Sequence, residues 1–241
     1  MPSDLDIIEQ YVAVWNEADP DCRRERIRSV WAPDGSTCYR LLDAHGYDAI
    51  EERVRASWDR WLRDGKYTFR PKQVAAHHDA IRFDFALVTL PEGEVEANGL
   101  SFLLLNSDGR LQRDYQFNPS ADEQNDIVDR YLAVLNEPDP MVRRRQIAEL
   151  WMSQGMFVSQ TAMRKGHAAL QAEAAAAHHA RLARGRVYRS AHRTQAHHNV
   201  IKFTWRVGNS SDAEVCAAGT ELLILERDGR IGLDYSFDEA V

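Results

Sequence analysis

The sequence predicts an α+β fold that occurs twice along the chain, and two observations support this prediction. The first is a repeat at a spacing of 120 residues: the stretch Tyr11–Pro20 returns as Tyr131–Pro140 with seven of its ten residues unchanged. Trp31 and Trp151 keep the same spacing, and no gap is needed to align the copies. The second is the hydrophobic period, which changes within each copy from helical spacing to alternation.

The length of the repeat predicts two domains rather than a solenoid. Solenoid units are about 20–50 residues long, whereas a copy of this size can bury a core of its own. The predicted domains are residues 1–119 and 120–241, joined by a polar linker at residues 118–126 that contains one proline.

The first predicted helix of each copy has one apolar face. In copy one, Ile8, Tyr11, Val12 and Trp15 follow one another at i, i+3, i+4 and i+7. This helix is predicted to end near Asn16.

The second predicted helix begins with a capping signal. Asp19 is a suitable N-cap, and Pro20 fits the first helical position. Its predicted apolar face includes Ile27 and Trp31, and a short extended stretch follows at residues 37–42.

The third predicted helix begins at Gly46 and stops before Gly65, a favourable C-terminal signal. Alternation then predicts strands, one around residues 81–88, one at Val95–Leu105 and one at Arg110–Phe117, the last two joined by a tight Asp-Gly turn. Each copy is therefore predicted to pack three helices on one face of an antiparallel sheet.

Composition and charge exclude several classes of function. The chain has 37 acidic and 30 basic residues and a net charge of −7, so a nucleic-acid partner is not expected. The three cysteines are widely spaced, which favours free thiols in a reducing compartment. The sequence has no signal peptide pattern and no apolar run of membrane-spanning length. We expect a cytoplasmic protein without a membrane partner.

Three sequence patterns resemble the SnoaL-like branch of the nuclear transport factor 2-like (NTF2-like) superfamily. They are a helix ending in W/L-N-E-x-D-P-x-x-R-R, an A-H-H-[DN] hairpin before an aromatic strand, and a closing D-G-R…D-Y-x-F strand. The resemblance implies a curved sheet wrapped around helices into a cone with an apolar cavity. It further implies a small hydrophobic ligand and acid–base chemistry without a cofactor, of the isomerase, cyclase, dehydratase or epoxide hydrolase type.

The resemblance also implies an arrangement of the two copies. Members of this superfamily commonly dimerise through the outer face of the sheet, and a duplicated chain can make that contact within itself. Apolar residues on both faces of one strand, such as Phe102 and Leu103, agree with this expectation. We therefore expect an intrachain pseudo-twofold pair, which leaves a further homodimer open.

Asp114 and Asp234 in the closing strands are the leading candidates for catalysis. Strand alternation turns each aspartate away from its aromatic neighbours, and a carboxylate in an apolar cavity can act as a general acid or base near neutral pH. SnoaL-type cyclases place an acid–base aspartate late in the sheet, and this position looks similar. The alternative is an aspartate that faces a domain interface or solvent, or that pairs with an arginine.

His77 and His197 are the next candidates, as proton shuttles or hydrogen-bond partners of the aspartates. Each belongs to a pair of adjacent histidines in front of a turn residue, so the alternative is a hairpin in which these side chains bind backbone groups. The histidine spacing fits no metal motif such as H-E-x-x-H, and no metal is predicted.

Aromatic side chains are predicted to contact the ligand. The candidates are Trp15, Tyr39, Tyr67, Phe85, Trp205, Tyr115 and Tyr235. Because Trp15, Trp58 and Trp61 correspond to Leu135, His178 and Arg181, the two cavities are predicted to differ, with one active copy and one scaffold copy as an open possibility. A module that binds a ligand or a protein without catalysis is the alternative function.

Overall fold

The computed structural model describes residues 3–117, 125–181, 185–191, 194–209 and 215–239. The chain divides into two compact units, Met1–Pro119 (unit one) and Ser120–Val241 (unit two). Residues 118–124 of the predicted linker lie outside the described residues. None of the described helices combines the length and the apolar character needed to cross a lipid bilayer.

Unit one has three helices and six strands within its described residues. In chain order they are α1 (Asp4–Asn16), α2 (Pro20–Val30), β1 (Trp31–Tyr39), β2 (Leu42–His45), α3 (Gly46–Trp61), β3 (Tyr67–His77), β4 (Ala80–Thr89), β5 (Val95–Leu105) and β6 (Leu111–Phe117). The strands form one sheet in the order β2-β1-β6-β5-β4-β3. All pairings are antiparallel except that of β1 with β6, which is parallel; α3 and four strands separate these two strands in the chain.

Unit two repeats this plan within its described residues. Its elements are α4 (Asp126–Asn136), α5 (Pro140–Leu150), β7 (Trp151–Val158), β8 (Met163–Lys165), α6 (His167–Arg181), β9 (Val187–Ser190), β10 (Gln195–His197), β11 (Val200–Gly208), β12 (Val215–Leu225) and β13 (Ile231–Glu239). The sheet order is β10-β11-β12-β13-β7-β8, and β9 also pairs with β11. The α+β class predicted from the sequence is confirmed.

The two units share strand register as well as element order. Asp114 lies opposite Leu103 in unit one, and Asp234 lies opposite Leu223 in unit two. The turn residues His78 and His198 have the same positive φ, 55° and 54°. Sequence positions 120 residues apart therefore occupy equivalent places in these parts of the fold.

A tyrosine anchors the core of each unit between the first helix and the sheet. The ring of Tyr11 lies 5.4 Å from that of Trp31 and 5.5 Å from that of Phe83. The ring of Tyr131 lies 5.2 Å from that of Trp151 and 5.3 Å from that of Phe203. Burying such clusters is the main source of stability for each unit.

Two details of the predicted element boundaries are wrong. Trp31 does not belong to the second helix: it is the first residue of β1, because its backbone pairs with Leu111 of β6. The extended stretch predicted at residues 37–42 is part of a hairpin, since β1 turns back into β2, a strand that carries no strong alternation.

The gapless repeat also fails locally, along the strand after the third helix. Phe69 lies opposite Leu87, but its equivalent opposite Val207 is Tyr188, at a spacing of 119 residues. The spacing returns to 120 at His77 and His197. A bulge between Lys72 and Val74 in unit one accompanies this difference.

Candidate active site

Both predicted aspartates are buried beneath the first helix of their units. Asp114 and Asp234 are 0% and 1% exposed. The phenol of Tyr11 donates a 2.8 Å hydrogen bond to Oδ2 of Asp114, and that of Tyr131 donates a 2.9 Å hydrogen bond to Oδ2 of Asp234. The alternative of an aspartate facing solvent is therefore wrong for both side chains.

In unit one the aspartate belongs to a dense polar network. Oδ2 of Asp114 also accepts hydrogen bonds from Thr37 Oγ1 at 2.5 Å and from Gln116 Nε2 at 3.1 Å. Burial raises the pKa of Asp114 to about 6, although these hydrogen bonds and the charge of Arg53 act in the opposite direction. The network holds the carboxylate in one orientation.

Arg53 of α3 occupies the space next to this network. Its guanidinium lies 5.1 Å from the ring of Trp15 and 5.7 Å from that of Tyr39, distances typical of cation–π contact. It also donates a 3.1 Å hydrogen bond to Oε1 of Gln116. Trp15 and Tyr39, two predicted ligand contacts, are thus occupied by a side chain of the same unit.

Unit two replaces this arrangement with a second carboxyl group. Glu221 of β12 stands where unit one has Ser101, and it is 3% exposed. Its Oε1 accepts hydrogen bonds from Trp205 Nε1 at 2.7 Å and from Ser236 Oγ at 2.8 Å. Glu221 lies directly opposite Ser236 on β13, so Asp234, two residues earlier, is its diagonal neighbour on the same face.

Glu221 and Asp234 form a coupled pair. Burial raises the pKa of Asp234 to about 7, and burial together with the neighbouring charge of Asp234 raises the pKa of Glu221 well above its ordinary value. Each group also has one buried oxygen, Oε2 of Glu221 and Oδ1 of Asp234, for which no described residue supplies a donor. We infer that the two carboxyl groups share one proton, which would satisfy both oxygens and remove the repulsion between two buried charges.

A cavity of about 270 Å³ opens beside this carboxyl pair. It lies under α4 and α6, and its lining is mostly apolar and aromatic. The lining includes Tyr131, Leu135, Trp151, Phe157, Ser159, Leu170, Ala174, Ala177, Tyr188, Trp205 and Ser236, together with the acidic residues Glu173, Glu221, Asp234 and Asp238. Apolar walls with a few converging polar groups are the usual composition of a small-molecule site.

His77 and His197 lie away from the aspartates. Their neighbours Ala76 and Ala196 pack against the cores of their units, so strand alternation directs the histidines to the opposite face. Nδ1 of His197 lies 3.0 Å from Nδ1 of His198. The predicted assistance of these histidines to the aspartates therefore has no geometric basis.

Of the other predicted ligand contacts, Trp205 lines the cavity of unit two. Phe85 and Tyr67 belong to unit one: the ring of Phe85 lies 6.0 Å from that of Phe69 and packs against the core, and Tyr67 is the first residue of β3.

Tyr115 and Tyr235 lie on the face opposite the aspartates, because each is the strand neighbour of one. Tyr115 stacks on Phe102 at 6.2 Å, and Tyr235 does not contribute to the cavity lining, unlike its neighbours Asp234 and Ser236. They do not contact a ligand bound beside the aspartates.

Three residues of the candidate site are not predicted by the sequence. Helical spacing indicates only a helix face for Tyr11 and Tyr131, although their retention in both copies is a signal of a further role. Glu221 breaks the repeat, and its signal is that of an acidic residue in an otherwise apolar strand.

Solved structures that are similar to this chain each match about half of it. A SnoaL-like protein from Agrobacterium tumefaciens strain C58, described as a candidate isomerase, is 27% identical, and the match covers 47% of this chain and 94% of that protein with a TM-score of 0.43. A candidate polyketide cyclase from Sinorhizobium meliloti is 19% identical over 48% of this chain and 94% of that protein, with a TM-score of 0.37. An NTF2-like protein of unknown function from Exiguobacterium sp. 255-15 is 16% identical over 46% of this chain and 96% of that protein, with a TM-score of 0.37.

No protein-family model and no curated protein matches the chain. The two sheets of the chain have matching layouts, in agreement with the tandem organisation predicted from the sequence.

Proposed function

We propose that unit two binds a small, largely apolar molecule in its cavity and transfers protons on it, as an isomerase, cyclase or dehydratase does. The observation that supports this proposal is the buried pair Glu221–Asp234, whose raised pKa values keep one acidic and one basic carboxyl group side by side near neutral pH. Both groups line the cavity.

The pair can complete a proton-transfer cycle by itself. The Asp234 carboxylate takes a proton from a substrate carbon while the Glu221 carboxylic acid gives its proton to another atom of the same substrate. The pair then still holds one proton, now on Asp234, and its transfer back to Glu221 restores the starting state. Trp205 and Ser236 donate to Glu221 and stabilise its anion during the cycle, and Tyr131 does the same for Asp234.

Unit one serves as a scaffold in this proposal. Its aspartate is held by three donors, and the guanidinium of Arg53 fills the space between Trp15, Tyr39 and Gln116. Asp114 is thus assigned to the internal network of unit one and not to catalysis.

The proposal can be tested by narrowing the cavity with a tryptophan, the residue that unit one has at the equivalent position. Leu135 lines the cavity, and unit one carries Trp15 at the equivalent position. In Leu135→Trp we expect kcat/KM to fall about tenfold or more, because the indole takes the space of the substrate, while the thermal midpoint changes little. Turnover is measured on a panel of enolisable ketones, β,γ-unsaturated carbonyl compounds and β-hydroxy carbonyl compounds, with solvent deuterium incorporation as a second readout.

The matched control is the reverse exchange in unit one. Trp15→Leu should leave turnover on the same panel within about threefold of the wild type, since sites without shared partners act independently. Full turnover in Leu135→Trp, or loss of turnover in Trp15→Leu alone, would contradict the assignment of the reaction to unit two.

A further inference from the structure

We propose that the cavity of unit two takes a small organic cation, an amine that is protonated at neutral pH and carries an apolar body. The inference rests on the proposed function only in taking this cavity as the binding site. It adds the charge of the ligand, which the proposed acid–base chemistry does not specify.

The first argument is the charge of the cavity wall. Four acidic side chains line it, and no lysine, arginine or histidine is found among the described lining residues. Glu173 is paired with Arg164 at 3.0 Å and Asp238 is exposed, so the charge that matters for a ligand is that of the two buried carboxyl groups, Glu221 and Asp234. Even with one shared proton, the pair Glu221–Asp234 keeps a net charge of −1 in a buried position. A buried charge is costly unless an opposite charge compensates it, so the wall favours a cationic occupant.

The second argument is the aromatic content of the same wall. Five of its side chains present aromatic rings: Tyr131, Trp151, Phe157, Tyr188 and Trp205. Aromatic faces combined with carboxylates are the arrangement that binds ammonium groups through cation–π and charge attraction, while the rings also cover an apolar body.

The third argument is that unit one has a cation of its own at this place, the side chain of Arg53. The guanidinium of Arg53 lies over Trp15, hydrogen-bonds to Gln116 and acts electrostatically on Asp114. The equivalent helix position in unit two is Glu173, which is paired with Arg164 at 3.0 Å, and the described residues of the cavity lining include no basic side chain in the place of Arg53. The duplicated fold thus exchanges an internal cation beside its aspartate for a cavity and additional carboxyl groups.

This comparison also indicates where the cation binds. In unit one the guanidinium contacts the side chains at positions 15, 39 and 116, whose equivalents Leu135, Ser159 and Ser236 all line the cavity. A ligand ammonium at the same place lies next to Asp234 and on the side of Glu173. The shared proton of the carboxyl pair remains available for transfer.

Isothermal titration calorimetry with three probes of one shape tests the proposal. The probes are phenethylamine, phenethyl alcohol and phenylacetate, which are cationic, neutral and anionic near neutral pH. We expect phenethylamine to bind about tenfold more tightly than phenethyl alcohol, and phenylacetate to show no detectable binding.

Two variants test whether the cavity of unit two causes the preference for phenethylamine. Glu173→Arg places the arginine of unit one at the equivalent position in unit two and should abolish phenethylamine binding. The isosteric double variant Glu221→Gln/Asp234→Asn should reduce the preference for phenethylamine over phenethyl alcohol to less than about threefold, because it removes the buried charge. Glu149→Gln removes an exposed charge of α5 outside the cavity and should leave all three affinities unchanged.

The possible results separate this inference from the proposed function. Phenethyl alcohol binding as tightly as phenethylamine, with both lost in Leu135→Trp, overturns the inference and leaves the proposed function standing. A preference for phenethylamine that survives in both charge variants places the binding elsewhere and overturns the inference as well. If none of the probes binds, both the inference and the assignment of the cavity as a ligand site are wrong.

Discussion

Replacement of Asp234 by asparagine is expected to lower kcat/KM by about 100-fold or more, which is the usual contribution of a positioned general base. The amide keeps the size of the side chain and can still accept the hydrogen bond from Tyr131, but it cannot take up a proton. The variant should therefore fold and bind ligand while losing the chemical step. Steady-state kinetics and solvent deuterium incorporation measure the effect.

The pH dependence of kcat/KM tests whether Glu221 is the general acid that acts together with Asp234. Because Asp234 must be ionised, activity should be present above its pKa of about 7 and be lost as the pH falls through that value. Activity should fall again at higher pH, where Glu221, whose pKa is raised by burial and by the charge of Asp234, loses its proton. Glu221→Gln should lower kcat/KM by about tenfold or more and remove the alkaline limb, since the amide has no proton to lose.

The equivalent residue of unit one is the control. Asp114→Asn should leave kcat/KM within about threefold of the wild type and leave the pH profile unchanged. A loss in Asp114→Asn as large as that in Asp234→Asn would show that the reaction is not confined to unit two.

The contribution of Asp114 to the stability of the protein should depend on pH in the direction opposite to that of a carboxylate whose pKa is lowered by folding. The folded-state pKa of Asp114, about 6, lies above the ordinary aspartate pKa of 3.8. Its contribution to the free energy of unfolding is therefore fully present below the unfolded pKa and is lost as the pH rises through about 6. The corresponding loss between about pH 4.5 and about pH 8 is roughly 2 kcal/mol, and Asp234 acts in the same direction.

Asp114→Asn isolates this contribution. The difference in unfolding free energy between wild type and variant should change by roughly 2 kcal/mol across this pH range, because the asparagine does not titrate and the histidines are common to both proteins. Urea denaturation at the two pH values measures it. A difference that is the same at both values would mean that Asp114 has an ordinary pKa and is not desolvated.

Much of the fold could be predicted from the sequence because local signals agreed with the tertiary structure. The cap formed by Asp19 and Pro20 begins α2, and alternating residues define β5 at Val95–Leu105. Both aspartates were identified because alternation in the closing strand fixes the face on which they lie. The parallel pairing of β1 with β6 and the boundary at Trp31 depend on contacts between distant segments, which periodicity does not encode.

The candidate site could be predicted only in part, because it depends on differences between the copies. The repeat draws attention to residues that both copies retain, whereas the cavity results from exchanges such as Arg53 to Glu173 and Ser101 to Glu221. Tyr188 could not be predicted for a further reason. The 120-residue repeat aligns it with Thr68, whereas the strand pairing shows that its structural equivalent in unit one is Phe69.

The measurement that tests the central claim most directly is a carboxyl 13C NMR titration of the protein labelled at aspartate and glutamate. At about pH 7.5 the Glu221 carboxyl should be protonated, with a signal that disappears in Glu221→Gln, while Asp114 is ionised. Ionised carboxylates at both Glu221 and Asp234 at that pH would contradict the existence of a shared proton, and with it the acid–base site in unit two.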